Sequence, residues 1–241
     1  MSTLVRLDAQ GAPRASPKTR TTVAGRSTGQ LLAKRAVDVV GALLGLVLLA
    51  PLFVAVAVLL KASDPRGPVF YRQERVGRGG RRIGVLKFRS MRWAFSTGAD
   101  RPYPTAIEAF HAMGRPDLAD EFAEHQKVAD DPRVSAFGHF LRRSSLDELP
   151  QLVDTIQGHL SLVGPRPITA PELERYGSHR ETYLAVKPGI TGLWQVSGRS
   201  RTSYDERVRL DVAYVTHWKL SLDLVILLRT VRTVLARQGA C

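Results

Sequence analysis

Cysteine is almost missing from this chain, in which Cys241 is the one cysteine among 241 residues. A disulfide within the chain needs two cysteines, and a cysteine-rich zinc site needs several, so both are excluded. Histidine occurs six times, but without an HExxH motif and without two histidines spaced four residues apart. A catalytic zinc site is therefore not expected either.

Acidic residues are scarce relative to basic ones. The sequence holds 22 aspartates and glutamates against 35 lysines and arginines, a formal net charge of +13. Such a charge favours anionic partners, which are nucleic acid, acidic lipid headgroups or phosphorylated small molecules. No nucleic-acid recognition motif is present, so nucleic acid is not expected as a partner. The hydrophobic content of 44% excludes global disorder.

Two segments near the N-terminus each lack one feature: residues 1–30 lack apolar periodicity, and residues 39–60 lack charged side chains. Residues 1–30 are rich in Ala, Gly, Pro, Ser, Thr and Arg, which predicts a disordered basic tail near an anionic membrane. Residues 39–60 form a run of 22 residues without a charge, long enough to enter a bilayer core. We therefore place a membrane segment at residues 31–62 and a globular domain at residues 63–241.

Three interpretations of the apolar run compete. A cleaved signal peptide is disfavoured, because the run is too long and starts too far from Met1. A single transmembrane helix fits the length, but basic residues on both flanks give no clear orientation and Pro51 would bend the helix. A helix that enters the membrane, bends at Pro51 and returns to the same face satisfies both features. The residues alone leave the spanning and the re-entrant helix equally open.

A β-hairpin is predicted after the membrane segment. Apolar residues 69–71 lead into a glycine-rich turn at residues 77–80, and residues 83–88 lead out of it. The turn lacks the GK[ST] ending of a phosphate-binding P-loop. Lys87 and Arg89 have the same parity and so share one face of the strand. A solvated basic edge that prevents aggregation explains this pair by itself.

Two adjacent carboxylates, Asp147 and Glu148, stand where a helix is expected to begin. Ser145 and Glu148 have the spacing of a capping box, and acidic residues in a first turn complement the helix dipole. Taken alone, helix capping is the favoured interpretation. We expect one helix to end before Ser144 and another to run from residue 146 to residue 158, where a glycine ends it.

Proline and glycine dominate two later segments. The motif VGPRP at residues 163–167 predicts a stiff, extended turn that fixes the backbone at Arg166, which suits a guanidinium placed near a phosphate. Residues 186–201 predict a further series of turns that holds Arg199. Residues 221–239 predict a basic amphipathic helix that lies on a membrane surface or covers the core, and both remain open.

Six motifs, in this order, resemble the bacterial sugar transferases, which are monotopic polyprenyl-phosphate phosphoglycosyl transferases. The motifs are KRAVDVV…LLAPLF, GPVFYRQERVGRGGRRIGVLKFRSM, LRRSSLDELPQL, SLVGPRP, KPGITGLWQVSGR and SLDLVILLRTV. The resemblance runs from about residue 34 to residue 240 and covers the catalytic unit of the family. ELERYG, GLWQVSGR and TSYDERVRLDVAYV are most similar to the branch that transfers hexose-1-phosphate.

The resemblance implies an α/β fold with a re-entrant, helix-break-helix membrane segment. This segment would precede a small cytoplasmic catalytic domain with a β-hairpin and amphipathic interfacial helices. The protein would lie at the cytoplasmic face of the inner (plasma) membrane and contact the lipid bilayer, with a homodimer left open. Family members usually have Ser-Pro at the helix break, whereas this chain has Ala50-Pro51 and lacks that hydroxyl.

The resemblance also implies a reaction. A hexose-1-phosphate, galactose or glucose, would pass from a UDP-sugar to undecaprenyl phosphate with release of UMP, which starts exopolysaccharide, capsule or O-antigen synthesis. Asp147 would be the covalent nucleophile and a ligand of Mg²⁺, and Glu148 would support it electrostatically or in proton handling. The residues expected to contact substrate phosphates are Lys87, Arg89, Arg142, Arg166 and Arg199.

Two alternatives to this reaction are kept. The first is a transferase of the same family that acts on an N-acetylhexosamine-1-phosphate. The second is a membrane-attached basic scaffold without catalysis, in which Asp147 and Glu148 only cap a helix. Family members commonly have Gly-Arg-Asn where this chain has Gly198-Arg199-Ser200, which shortens the reach of the third side chain.

Overall fold

The computed structural model describes residues 26–98, 101–125, 128, 130–198 and 203–235. The chain divides into two compact units. The first unit comprises the described residues up to Ala50, residues 72–87, and those from Glu148 onward, and the second unit comprises residues 51–71 and 88–147. The described residues form both helices and short strands, so the predicted mixed α/β class is confirmed. Residues 1–25 of the predicted tail lie outside the described residues.

The first helix, α1 (Thr28–Ser63), contains the whole apolar run, and the residues on both sides of Pro51 are helical. Among the described residues, α1 is the one helix long and apolar enough to cross a membrane. Only 11% of its most apolar 18-residue window is buried in the protein. This low burial distinguishes α1 from the core helix of a water-soluble domain.

The N-terminal half of α1 is fastened to the first unit by its polar residues. The buried Asp38 accepts hydrogen bonds of 2.9 Å from the Ser161 hydroxyl and from the Leu162 N–H. Arg35 donates to the carbonyl oxygens of Thr155 and Ile156, both at 2.6 Å. These bonds hold the start of α1 against the first unit. The apolar side chains farther along α1, such as Val47 and Leu48, are exposed and do not pack against the protein.

The predicted β-hairpin is confirmed. Strands β1 (Phe70–Val76) and β2 (Arg82–Phe88) form one two-stranded sheet, joined by a 3₁₀ turn at Arg78–Gly80. The strand β2 ends at Phe88, so Lys87 lies on it and Arg89 lies just beyond it.

A second, parallel sheet belongs to the first unit and was not predicted. It pairs β3 (Ser161–Val163) with β4 (Gly189–Thr191), with Ser161 opposite Gly189 and Val163 opposite Thr191. The helices of this unit are α5 (Gln151–Gln157), α6 (Ala170–Glu174), α7 (Arg180–Leu184), α8 (Leu193–Ser197), α9 (Tyr204–Thr216) and α10 (Leu220–Leu235). The prediction of turns alone at residues 186–201 is wrong, because β4 and α8 lie there.

The predicted amphipathic helix near the C-terminus is confirmed as α10, and its two faces differ in environment. Ile226 is fully buried in an apolar cluster with Ala42, Trp218 and Tyr214, and Leu222 and Leu227 pack against the same cluster. The other face carries exposed apolar side chains, which are Leu224, Val225, Leu228 and Val231. The helix therefore covers the core with one face, and its other face remains apolar and exposed.

The second unit has its own helices, α2 (Ala106–Ala112), α3 (Pro116–His125) and α4 (Ala136–Ser144). Phe110 is fully buried in the apolar cluster of α2 and α3, together with Leu118. Helix α4 approaches the backbone closely at Gly138, where an added methyl group would lie 1.8 Å from the Ser90 carbonyl oxygen. Only glycine fits there, and this contact fixes the direction in which α4 runs toward Asp147.

Candidate active site

The adjacent carboxylates follow α4 through a tight change of direction. Ser145 ends α4 in a left-handed backbone conformation with φ of 58°. It is the one non-glycine residue with positive φ in the described part of the chain. A 3₁₀ turn, Leu146–Glu148, then carries Asp147 and Glu148 toward α5. A left-handed serine costs about 1 kcal/mol, so the surrounding fold maintains this strained approach to the two carboxylates.

The capping interpretation of Ser145 and Glu148 is wrong. Ser145 terminates α4, since its N–H donates to the carbonyls of Leu141 and Arg142, whereas a helix N-cap needs an extended backbone. The helix expected from residue 146 begins only at Gln151, because Pro150 is tolerated at a helix start and not inside it. Its predicted end is confirmed, since Gly158 follows α5 with φ of 84°.

Two cations of the first unit hold Glu148 in its ionised form. The Lys87 ammonium donates a hydrogen bond of 2.9 Å to Glu148 Oε1, and Arg166 Nη2 lies 3.9 Å from the same oxygen. Burial by itself would raise the pKa of Glu148, but the charges of Lys87 and Arg166 and the Lys87 hydrogen bond lower it to about 2. A carboxylate with so low a pKa is a poor proton acceptor near neutral pH, which favours an electrostatic role over general-base catalysis.

A cleft of the first unit contains Glu148 and both of its cations. Sequence reasoning missed three polar residues of its wall, Arg75, Gln151 and Gln195. The lining residues are Arg75, Val85, Lys87, Glu148, Gln151, Arg166, Pro167, Ile190 and Gln195. Three of them carry a positive charge and one a negative charge, so the cleft has the excess of cations that an anionic substrate requires.

Asp154 on α5 positions the strand that carries Lys87, and sequence reasoning missed this residue too. It is fully buried, and its Oδ2 accepts a hydrogen bond of 2.7 Å from the N–H of Leu86. Its Oδ1 accepts a hydrogen bond of 3.1 Å from Arg72. Since Leu86 precedes Lys87, Asp154 fixes the backbone from which Lys87 reaches Glu148.

Asp147 and two of the predicted arginines belong to the second unit. Asp147 is buried, with 7% of its surface exposed. Arg142 donates through Nε to the Ser90 hydroxyl at 2.9 Å. Arg89 is 3% exposed, forms an ion pair with Asp64, and donates to the Asp64 backbone carbonyl at 2.8 Å. The Arg89 guanidinium therefore binds Asp64, directly after the end of α1, whereas the Lys87 ammonium binds Glu148.

Arg166 lies among aromatic and charged side chains of the first unit. Its guanidinium is 5.9 Å from the centre of the Trp194 ring, and that of Arg207 is 4.2 Å from the same ring. The Tyr183 hydroxyl donates to the Arg166 backbone carbonyl at 3.2 Å, which supports the predicted fixed backbone at this residue. Arg199, the last predicted phosphate contact, lies outside the described residues.

A buried aspartate with a raised pKa lies behind Arg166. Asp211 is 2% exposed and accepts a hydrogen bond of 2.8 Å from the Tyr176 hydroxyl. Burial raises the pKa of Asp211 to about 7, although the Tyr176 hydrogen bond and the charges of Arg207 and Arg166 oppose this rise. Asp211 is therefore only partly ionised at neutral pH.

The carboxylates offer a small donor set for a metal ion. Within the described residues, no group of three or more His, Cys, Asp or Glu side chains comes together. Mg²⁺ commonly takes only one or two protein carboxylates and completes its shell with water and substrate phosphates. Asp147 and Glu148 both carry the carboxylate oxygens that such an ion takes, and Glu148 also forms an ion pair with Lys87.

Comparison with known proteins identifies the class. The family model described as bacterial sugar transferase matches residues 29–237. An exopolysaccharide production protein, ExoY, from Sinorhizobium fredii is 44% identical over 87% of this chain and 88% of its own length. The UDP-galactose-lipid carrier transferase of Erwinia amylovora is 44% identical over 86% of this chain. The undecaprenyl-phosphate galactose phosphotransferase of Salmonella typhimurium is 42% identical over 86% of this chain. The last two are matched over 41% of their own lengths.

The chain belongs to the bacterial sugar transferase family and is a transferase. The match covers the apolar helix, the hairpin with Lys87, the carboxylate pair and α10. The predicted resemblance is thereby confirmed.

Proposed function

We propose that this chain transfers a hexose-1-phosphate, galactose or glucose, from a UDP-sugar to undecaprenyl phosphate, with release of UMP. One observation carries the proposal: beside Asp147, Glu148 is held as a carboxylate by Lys87 and Arg166 in a cleft with excess positive charge. Relatives at 42–44% identity are a UDP-galactose-lipid carrier transferase and an undecaprenyl-phosphate galactose phosphotransferase, which supports the donor and the acceptor. The product would start the synthesis of an exopolysaccharide.

The reaction has two displacements at one phosphorus atom. In the first, a carboxylate oxygen of Asp147 bonds to the sugar-linked phosphorus of the UDP-sugar, and the bond from that phosphorus to the bridging oxygen breaks. UMP leaves with the bridging oxygen, and the sugar phosphate is held on Asp147 as an acyl phosphate. In the second, a phosphate oxygen of undecaprenyl phosphate attacks the same phosphorus and releases the Asp147 carboxylate.

The cations of the cleft support both displacements. Lys87 and Arg166 compensate Glu148 in the resting protein and offer charge to the substrate phosphates during transfer. The low exposure of Asp147 limits attack of water on the acyl phosphate. We include Mg²⁺ held by Asp147 in the proposal, since a bound divalent ion would neutralise part of the diphosphate charge.

Release of UMP tests the proposal. Purified full-length protein in detergent with Mg²⁺ is offered UDP-galactose or UDP-glucose, with and without undecaprenyl phosphate. Repeated turnover, measured as UMP released in excess over the protein, should depend on the lipid phosphate, and all UMP release should be lost in Asp147→Asn. Release from UDP-N-acetylhexosamines alone would change the sugar, and no release from any donor would favour the scaffold without catalysis. Asp205→Asn, which changes an exposed aspartate in the same way, is the control.

We further propose that α1 is re-entrant and that both of its ends lie on the cytoplasmic face of the inner membrane. Two observations support this: Pro51 inside the helix, and basic residues at both ends. Single cysteines at Gln30 and at Arg66, in a chain carrying Cys241→Ser, are labelled with a membrane-impermeant maleimide in inside-out and right-side-out vesicles. Labelling of both positions only in inside-out vesicles is expected. Labelling of the two positions from opposite sides would establish a spanning helix.

A further inference from the structure

A group of cations in the first unit lies apart from the cleft that holds Glu148. Lys187, which precedes β4, is half-buried and faces Lys34, Arg35 and Arg78. Among the described residues, no hydrogen bond or ion pair is found for the Lys187 ammonium. A half-buried ammonium among three further cations is an unfavourable arrangement unless an anion joins it.

The position of Gly158 shows how close two of these cations lie. A methyl group added to Gly158 would be 3.3 Å from Lys187 Nζ and 3.6 Å from an Nη atom of Arg35. Burial, followed by the charges of Arg35 and Arg78, lowers the pKa of Lys187. Both the geometry and the electrostatics therefore describe a concentration of positive charge around the end of α5.

The nearby acidic groups already have partners. Asp38 faces Lys187, but its Oδ1 accepts hydrogen bonds from Ser161 and from the Leu162 N–H. Asp223 pairs with Lys34 at 2.6 Å. Asp223 thus compensates Lys34, and the charge of Asp38 offsets part of the positive charge at Lys187. Among the residues that the structure describes, the four cations of the group face only these two carboxylates, so an excess of positive charge remains.

Capping of the C-terminus of α5 accounts for only one of these cations, Arg35. Arg35 donates to the last carbonyls of α5, a usual role for a basic residue at a helix C-terminus. Arg78 lies on the hairpin turn, with no hydrogen bond or ion pair to those carbonyls among the described contacts. Lys187 also makes no hydrogen bond to them. Within the described part of the chain, Lys187 and Arg78 therefore do not cap the C-terminus of α5.

The group lies at the level where α1 would enter a membrane. Arg35 is four residues before the uncharged run of residues 39–60, on the same helix. Basic residues directly outside an apolar helix meet the phosphates of lipid headgroups. We propose that Lys187, Arg78 and Arg35 bind the phosphate group of an anionic membrane phospholipid. This inference rests on the membrane location in the proposed function and adds a lipid site distinct from the carboxylate cleft.

A lipid titration tests the site. The full-length protein in a neutral detergent is titrated with short-chain phosphatidylglycerol, and binding is followed by the rise of its unfolding temperature. Lys187→Gln and Arg78→Gln are each expected to weaken the apparent affinity about fivefold relative to wild type. Because Arg78 is exposed on a turn, its variant tests the site even if Lys187→Gln fails to fold.

Lys219→Gln is the matched control, since Lys219 is exposed and lies outside the group. Its affinity for phosphatidylglycerol should stay within about twofold of wild type. An equal loss in Lys219→Gln, or no loss in either site variant, would overturn the proposal in favour of diffuse surface attraction.

Further arms of the titration identify the source of the phosphate. Phosphatidylcholine and inorganic phosphate should bind at least fivefold more weakly than phosphatidylglycerol. Tighter binding of inorganic phosphate would overturn the lipid assignment in favour of a soluble anion. A tighter, Lys187-dependent response to a polyprenyl monophosphate would overturn it in favour of the acceptor substrate.

Release of UMP by the same samples separates this inference from the proposed function. Loss of the lipid response in the site variants with normal UMP release would establish the site. A selective lipid response in a protein that releases no UMP would still support the site while removing the proposed reaction. Normal UMP release with an unchanged lipid response in the variants would remove the site alone.

Discussion

The Lys87 ammonium donates a hydrogen bond of 2.9 Å to Glu148 Oε1, and the two side chains are 11% and 25% exposed. This contact joins the hairpin to the turn that carries the carboxylate pair, across 61 residues of sequence. It defines a site in which a carboxylate beside the proposed nucleophile stays charged. Its consequences for activity, pH dependence and stability can each be measured.

Replacing Lys87 should lower the activity more than replacing any exposed lysine. In Lys87→Gln the hydrogen bond and the charge beside Glu148 are lost, and we expect the rate of UMP release to fall about a hundredfold. The pKa of Glu148 should also rise from about 2, because burial would then be opposed mainly by Arg166.

The pH dependence of stability checks the Glu148 assignment. A carboxyl whose folded pKa lies below its ordinary value of 4.5 stabilises the fold above that pH and loses this contribution as the pH falls toward 2. In Lys87→Gln the folded pKa of Glu148 lies closer to 4.5, so less stability should be lost between pH 4.5 and pH 2 than in wild type, as measured by unfolding temperature. Lys219→Gln is the control. If the unfolding temperatures of both variants fall equally between pH 4.5 and pH 2, the pairing of Lys87 with Glu148 is contradicted.

Two substitutions of Asp154 should separate the effect of losing its charge from the effect of losing its hydrogen-bond acceptor. Asp154→Asn can still accept from the Leu86 N–H, so we expect a loss of about 1 kcal/mol in stability. Asp154→Ala leaves that buried N–H without a partner, and a loss of about 3 kcal/mol is expected. Thermal unfolding gives the order of the two variants. Equal losses in both would show that the bond to Leu86 is not what Asp154 contributes.

Arg89 should behave as a structural residue. Arg89→Lys keeps the charge but loses the planar guanidinium that serves both the carboxylate and the backbone carbonyl of Asp64. We expect the unfolding temperature to fall by about 5 °C. The KM for the UDP-sugar should stay within about twofold of wild type. A raised KM at an unchanged unfolding temperature would instead support the predicted phosphate contact.

Asp211 should make the protein less stable as the pH rises. Its folded pKa of about 7 lies above the ordinary 3.8, so the folded state binds the proton more tightly than the unfolded state. The stability that this carboxyl contributes is therefore lost progressively between about pH 4 and pH 7. Asp211→Asn imitates the protonated form, and its unfolding temperature should exceed that of wild type at pH 8 but not at pH 4.

The exposed Asp205→Asn is the control for Asp211→Asn and should show no such pH-dependent gain. Tyr176→Phe removes the hydrogen bond that favours the ionised form, so it should increase the instability at high pH. A gain in Asp211→Asn that is the same at both pH values would show that Asp211 is ionised throughout.

Sequence reasoning found Glu148 and the two cations that the structure brings to it, Lys87 and Arg166. It assigned Arg89 the same face as Lys87 by parity, but β2 ends at Phe88 and parity has no meaning beyond a strand. It missed Asp154, because a single acidic residue on a short helix gives no pattern that distinguishes a buried acceptor from a solvated one.

Short elements escaped prediction for a physical reason. The strands β3 and β4 have three residues each, too few to show the alternation that identifies a strand. The long apolar run and the glycine-rich hairpin were found because each carries its own signal, in length or in turn residues. The contact between Lys34 and Asp223 had no local signal at all.

That contact has a consequence for the order of synthesis. Asp223 accepts hydrogen bonds from Lys34, Tyr214 and Trp218, and it is made 189 residues after Lys34. At about 5–20 residues per second, α1 therefore waits roughly 10–40 seconds on the ribosome for its carboxylate partner. During that interval the basic end of the nascent helix has only solvent or anionic lipid to compensate it, so the membrane can receive α1 before the protein fastens it.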